Sequence, residues 1–164
     1  MKKLKIYLDT SVISHLKADD VPEKMSKTLR FWEFIERDEY RVFISDLVAA
    51  EIEECAEPKR SLLTRKMDEA PLEIIEIDAE ITTLAEKYIR EGVFSSKYLD
   101  DATHVAAASV SGCTAIVSWN FKHIVKLRTI IGVNGINRLM GYSEIEIITP
   151  EIIIEEEGDE NEGI

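Results

Sequence analysis

The chain has 164 residues, a length that suits one domain, and 45% of them are hydrophobic, which excludes a globally disordered protein. No apolar run is long enough to cross a bilayer, and the start MKKLKIYLDT turns acidic too soon for a signal peptide, so a cytoplasmic protein is expected. The net charge of −12 excludes a broad basic nucleic-acid surface, and the two cysteines, Cys55 and Cys113, are too few for a disulfide framework and sit among apolar neighbours, as buried free thiols do.

Lys5 to Leu8 reads as a short buried strand, closed by Asp9-Thr10-Ser11, which can cap a helix over Val12 to Lys17. Asp19-Asp20-Val21-Pro22 breaks that helix, and Pro22 suits the first turn of the next, whose apolar face over Glu23 to Arg37 is Leu29, Phe31, Trp32, Phe34 and Ile35. Arg41 to Ser45 is a second strand. Asp46 can cap a helix from Leu47 to Ala56, and a further helix runs from Lys59 to Glu69 after Pro58. Glu73 to Ile77 is a third strand, Ala79 to Glu91 is helical, and Gly92 ends it. Leu99 to Val110 is a helix of small residues able to lie close against a sheet, and Gly112 stops it. Ala115 to Ser118 is a fourth strand, followed by Trp119-Asn120-Phe121 and a helix from Lys122 to Ile131. Gly132, Gly135 and Gly141 mark loops, and Ile145 to Ile148 is a last edge strand before Pro150.

The end of the chain carries Glu155, Glu156, Glu157, Asp159, Glu160 and Glu162 with no base among them. Like charges at that density repel and keep a segment extended. Residues 1–154 are therefore expected to form the domain, and 155–164 an acidic, disordered tail.

Strands alternating with helices imply an α/β sandwich around a mainly parallel sheet. Ligands of such sheets bind beyond the carboxyl ends of the strands. The polar residues after each strand should therefore converge: Asp9 after the first, Glu51 a turn into the helix after the second, Asp101 at the start of the small-residue helix, and Asn120 after the fourth. Carboxylates gathered in one crevice repel, and magnesium or manganese, which prefer oxygen ligands, would relieve that repulsion and could assist an in-line displacement at a phosphodiester. Each position also has a structural reading. Asp9 is a helix cap, Glu51 one acid of the run Glu51, Glu53, Glu54, the pair Asp100 and Asp101 favourable charge at a helix N-terminus, Asn120 a turn residue, and His104 a hydrogen-bonded core histidine.

The stretches YLDTSVIS (7–14), LVAAEIEE (47–54), LDDATHVAAA (99–108) and IVSWNFKHIV (116–125) resemble the PIN-domain ribonucleases, and most of all the VapC-type toxins of prokaryotic toxin–antitoxin operons. The resemblance runs from about residue 4 to Pro150. It implies a three-layer α/β/α sandwich with a four- to five-stranded sheet, and an endoribonuclease using Mg2+ or Mn2+ held by Asp9, Glu51 and Asp101. Of the adjacent acids Asp101 is chosen, because the family's motif places its acid directly before the alanine, here Ala102; Asp100 assists. Many relatives carry an aspartate where this chain has Asn120, so Asn120 is expected to bind a metal weakly or orient water. Thr10, Ser11 and Ser118 are expected to support the ligands by hydrogen bonds, and Lys122, with Lys97 as a secondary candidate, to reach an RNA phosphate. The resemblance further implies RNA as substrate and a small cognate antitoxin as partner, with a second copy of the chain as a further candidate. Two other classes compete. One is a catalytically weak or inactive PIN-fold binding module, favoured by Asn120 and the net charge. The other is a phosphatase or phosphotransfer protein with Asp9 as nucleophile, disfavoured by Ser11 where a second aspartate would stand and by the basic Met1-Lys2-Lys3 start.

Overall fold

The structure, a computed structural model, describes the backbone of residues 2–162 and the side chains of residues 2–157. Its sheet has five strands: β1 (Lys5–Leu8), β2 (Arg41–Ser45), β3 (Leu72–Ile75), β4 (Ala115–Val117) and β5 (Glu146–Ile148). They lie in the order β3-β2-β1-β4-β5 and every neighbouring pair is parallel. Ile6, Tyr7 and Leu8 of the central strand are all buried, as are Val42, Phe43, Ile44 and Ser45 of β2. Burial on both faces explains why these strands read as continuous apolar runs rather than as alternation.

Between β1 and β2 run α1 (Thr10–Ser14) and α2 (Pro22–Glu36), and between β2 and β3 run α3 (Asp46–Glu53) and α4 (Lys59–Glu69). The chain then crosses through α5 (Ala79–Arg90) and α6 (Leu99–Val110) to β4, and through α7 (Leu127–Met140) to β5. Right-handed crossovers put helices that lead in opposite directions along the sheet on opposite faces. The contacts agree: α1, α3 and α4 touch one another, while α5 packs on α6 and α7. The α/β sandwich expected from the alternating elements is present, with a wholly parallel sheet. The strand order reverses between β1 and β4, so the ligand-binding crevice of such a sheet falls just beyond Leu8 and Val117.

Three local expectations are corrected. The first concerns Gly132 and Gly135, which lie inside α7 rather than in loops, and the segment from Lys122 to Lys126 is turn, not helix. Gly132 is there for a close approach: a Cβ added to it would come within 2.8 Å of Val93 Cγ2 and 3.2 Å of its Cγ1. Only Gly141, at φ +87°, ends the helix in the left-handed region. Gly132→Ala gains about 1 kcal/mol in helix propensity but overpacks against a stiff β-branched side chain at about 1–3 kcal/mol. The expected result is a thermal midpoint lower by about 2–4 °C; a higher midpoint would show that Val93 yields freely.

The second correction concerns Asp46, which is the first residue of α3 and caps nothing. Ser45 is the N-cap, and the Asp46 carboxylate accepts from Ile77 N at 3.3 Å.

The third concerns the acidic end. A helix, α8, runs Pro150–Glu162 through residues expected to be extended. Ile153 and Ile154 are buried, α8 packs on α2, Lys27 donates to Glu151 at 2.5 Å, and the Tyr40 hydroxyl donates to Glu157 at 2.7 Å. Proline at the first helical position and the apolar Ile152-Ile153-Ile154 turn pay for nucleation, and glutamate then propagates a helix well. The side chains of Asp159, Glu160 and Glu162, with Gly163 and Ile164, lie outside the described residues.

Candidate functional site

Asp9 follows β1 and is the N-cap of α1, its side chain accepting from Val12 N at 3.3 Å. Capping is only part of what it does. Oδ1 also accepts from the Ser11 hydroxyl at 2.6 Å, and Oδ2 from the Ser118 hydroxyl at 2.5 Å. Both hydroxyls are held in turn by the loop after β4: Trp119 N donates to Ser11 Oγ at 2.8 Å and Asn120 N to Ser118 Oγ at 2.9 Å. A buried carboxylate at the strand switch is thus locked to both strands that flank it, and the supporting roles expected of Ser11 and Ser118 have a geometry.

Glu51 is half-buried on α3. Its Oε1 accepts from the Thr10 hydroxyl at 3.0 Å and from His104 Nε2 at 2.6 Å; among the described residues Oε2 makes no hydrogen bond. His104, 2% exposed, sits one turn into α6. Its Nδ1 lies 2.7 Å from the Tyr7 hydroxyl, which lies 2.8 Å from Ser45 Oγ. Nε2 donates to the carboxylate; in the neutral form of the ring Nδ1 then accepts the Tyr7 proton, and Ser45 donates to Tyr7. A chain of four side chains from β2, β1, α6 and α3 therefore fixes the orientation of Glu51. Tyr7 and Ser45 were not foreseen as site residues. Their only sequence signal is a polar group in each of two otherwise apolar strands.

Asp101 is partly buried at the start of α6, preceded by the 3-10 turn Ser96–Tyr98. Its neighbours are Asp9, His104, Asn120 and His123. Asp100, beside it in sequence, is exposed, as are Lys97 and Lys122. Asn120 Oδ1 accepts from His123 N at 3.0 Å. The oxygen expected to serve a metal is thus already engaged in holding the loop, and the Asn120 side chain favours the charged form of Asp101.

Burial pushes the Asp9 carboxyl above the ordinary carboxylate range, against the His104 charge and the bonds from Ser11, Ser118 and Val12. Burial likewise raises Asp101, helped by the charge of Asp9 and opposed by His123, His104 and Asn120. Burial opposes ionisation of Glu51 too, but there the His104 bond and charge, with the Thr10 bond, prevail and hold the carboxyl low. A raised carboxylate contributes stability that is complete below its unfolded value and lost as pH rises through the folded one. The metal-free protein should therefore gain thermal stability as pH falls through the raised Asp9 and Asp101 carboxyls, before protonation of Glu51, which is held low, reverses the trend at lower pH. A midpoint that falls steadily from pH 7 downward would contradict this assignment.

The donors gathered here are carboxylate oxygens, the set a hard divalent cation takes. Asp9 and Asp101 are close enough for one charge to disfavour the other. Among the described residues, no three acidic, histidine or cysteine side chains stand near enough together to enclose an ion as they are placed. In chemistry the donors fit Mg2+ or Mn2+; Glu51 is turned to His104 instead of to the aspartates.

The sequence model of the PIN domain family matches residues 6–123, a span that holds every one of these groups. No curated protein matches significantly. Among solved structures, the chain is similar to VapC20 of Mycobacterium tuberculosis, described as a Sarcin-Ricin loop cleaving toxin (TM-score 0.57, 16% identity, 86% of this chain and 98% of that one). It is also similar to a chain of VapBC2 from Rickettsia felis bound to a promoter DNA fragment (TM-score 0.54, 14% identity, 89% and 98%). A third is a chain of DNA-bound VapBC from Salmonella typhimurium (TM-score 0.50, 19% identity, 90% and 98%). At these identities the likeness is one of fold.

Proposed function

The chain belongs to the PIN domain family, and on that premise we propose that it is an endoribonuclease that hydrolyses RNA phosphodiesters with Mg2+ or Mn2+ held by Asp9, Asp101 and Glu51. The observation that carries this reading is the meeting of Asp9 and Asp101 at the strand switch, with both oxygens of Asp9 held by Ser11 and Ser118. Both aspartates are disfavoured as anions by burial, and Asp9 adds its own charge against Asp101 at the strand switch. Buried carboxylates so placed call for a cation. Bound there, a divalent ion supplies stabilisation for the charge that builds on a phosphodiester and makes water a better nucleophile.

The protein's own contribution is to hold the oxygens in place. Ser11 and Ser118 fix both oxygens of Asp9, and His104 with Thr10 fixes one oxygen of Glu51, leaving the other without a hydrogen bond among the described residues. Hydrogen bonds of this kind set the orientation and basicity of metal-binding groups. Asn120 faces Asp101 and anchors the loop, and Lys122 at the rim supplies a positive charge for a phosphate.

Two of the similar structures are VapBC complexes bound to DNA, and on that basis we assign this chain a small antitoxin and the role of toxin. An acidic molecule of net charge −12 suits a basic partner segment. The inactive-module reading keeps one observation in its favour, the lack of a three-ligand cluster among the described residues.

The two readings separate on one assay. Purified protein should cleave single-stranded RNA with added manganese, stop on addition of EDTA and resume when manganese is restored. Full activity in EDTA would overturn the metal assignment, and no cleavage under any metal would leave the binding module.

A further inference from the structure

The loop that locks Asp9 also carries a surface that the hydrolytic chemistry leaves unused. Phe121 follows Asn120 and is 49% exposed, although it stands beside the buried Trp119, with ring centroids 6.2 Å apart and planes tilted by 59°. Lys24 of α2 lies over both rings, its Nζ 5.2 Å from the Phe121 centroid and 5.7 Å from that of Trp119. Trp119 is itself pinned, its indole N–H donating to Thr28 Oγ1 at 2.8 Å. Two residues beyond Phe121, His123 stacks on Tyr98, with centroids 3.6 Å apart and planes 26° apart. Lys24 and Lys122 form no ion pair among the described residues. In a chain of net charge −12, two uncommitted lysines and an exposed aromatic ring therefore border the acidic crevice.

We propose that Phe121, backed by Trp119 and Lys24, is a stacking platform for an unpaired base of single-stranded RNA next to the phosphodiester that is cut. This rests on the ribonuclease reading and adds to it the residue that receives a base of the substrate. Phe121 has a fixed indole and a cation beside it and is 49% exposed. Every base has a π-face that such a ring can take, and adjoining lysines hold the backbone. A duplex keeps its bases stacked on one another and cannot use the ring, so the platform selects unpaired RNA. It also answers the objection raised by the net charge. Affinity need not come from a broad basic surface when stacking supplies part of it and the cations are confined to the rim.

The test uses the full chain in an Asp9→Asn background, so that binding is read without cleavage, with Phe121→Ala, Phe121→Leu and Phe121→Tyr added. Fluorescence anisotropy of a short single-stranded RNA is the readout, with inorganic polyphosphate as a base-free polyanion. Phe121→Ala and Phe121→Leu should weaken RNA binding by about tenfold or more, Phe121→Tyr should restore it, and polyphosphate binding should not change. Lys24→Met should lower the slope of log K against log salt by about 0.7. Restoration by leucine as well as tyrosine would reduce Phe121 to an apolar cover for Trp119 and overturn the platform. So would unchanged RNA affinity in Phe121→Ala, which would leave the ring to a protein partner. If Phe121-dependent RNA binding holds but the wild-type chain cleaves nothing, the platform stands and the hydrolytic reading falls. If the protein binds no single-stranded RNA, both fall.

Discussion

Asp9→Asn should reduce RNA cleavage to background, a fall on the order of a thousandfold, the scale on which removing one preorganised electrostatic group acts, and should leave the fold intact. The substitution is nearly isosteric. Its amide can still meet Ser11 and Ser118, because a serine hydroxyl accepts as well as donates. What it loses is the charge, which burial already opposes. The same change therefore relieves the metal-free protein, whose thermal midpoint at neutral pH should be no lower than that of wild type. Asp101→Asn should behave alike, since it also removes a disfavoured buried charge. Activity and stability moving in opposite directions is what distinguishes a metal-binding acid from a structural cap. A cap replaced by asparagine would cost little in either measure. Near-normal turnover in Asp101→Asn together with loss in Asp100→Asn would transfer the role to the exposed neighbour.

The second large effect falls on a residue that touches no substrate. His104→Ala should lower the affinity for manganese by about 10- to 100-fold and destabilise the protein by about 2–4 kcal/mol. The substitution removes the donor that holds Glu51 Oε1 at 2.6 Å and the acceptor 2.7 Å from the fully buried Tyr7 hydroxyl, and it opens a cavity beneath α6. Tyr7→Phe separates the two consequences. It keeps the His104–Glu51 bond and breaks the chain one link earlier, so stability should fall while the metal requirement stays close to wild type. An unchanged manganese requirement in His104→Ala would mean that Glu51 needs no support or plays no part.

The order of strands and helices could be read from punctuation: Asp9, Pro22, Pro58, Asp78, Gly92 and Gly112 stop or start elements at or close to the places where the structure does. Punctuation misled where glycine serves packing. Gly132 is helical because Val93 comes against it, and Val93 is remote in sequence, so no local window contains the reason. The acidic end misled in the opposite way. Its charge pattern is that of an extended segment, but the buried Ile153 and Ile154 just before it bind the first turns of α8 to the core, and the following glutamates continue the helix. Within the site, Glu51 is turned to His104 instead of to the aspartates, while the meeting of Asp9 and Asp101 followed from a strand end and a helix start. The links among the site residues did not. The bonds that orient Glu51 join residues 38, 53 and 97 positions apart, and a tyrosine within a buried strand looks like any core aromatic until its hydroxyl is seen to have two partners.

Manganese binding to the purified chain, followed by calorimetry with wild type and Asp9→Asn side by side, bears most directly on the claim that the strand-switch carboxylates hold the ion. The predicted result is at least one site in the wild-type protein, lost or strongly weakened in Asp9→Asn, with proton release on binding greater at mildly acidic pH than at neutral pH because the Asp9 and Asp101 carboxyls are raised and must ionise. Binding of equal strength in the two proteins, or no binding in either, would contradict it.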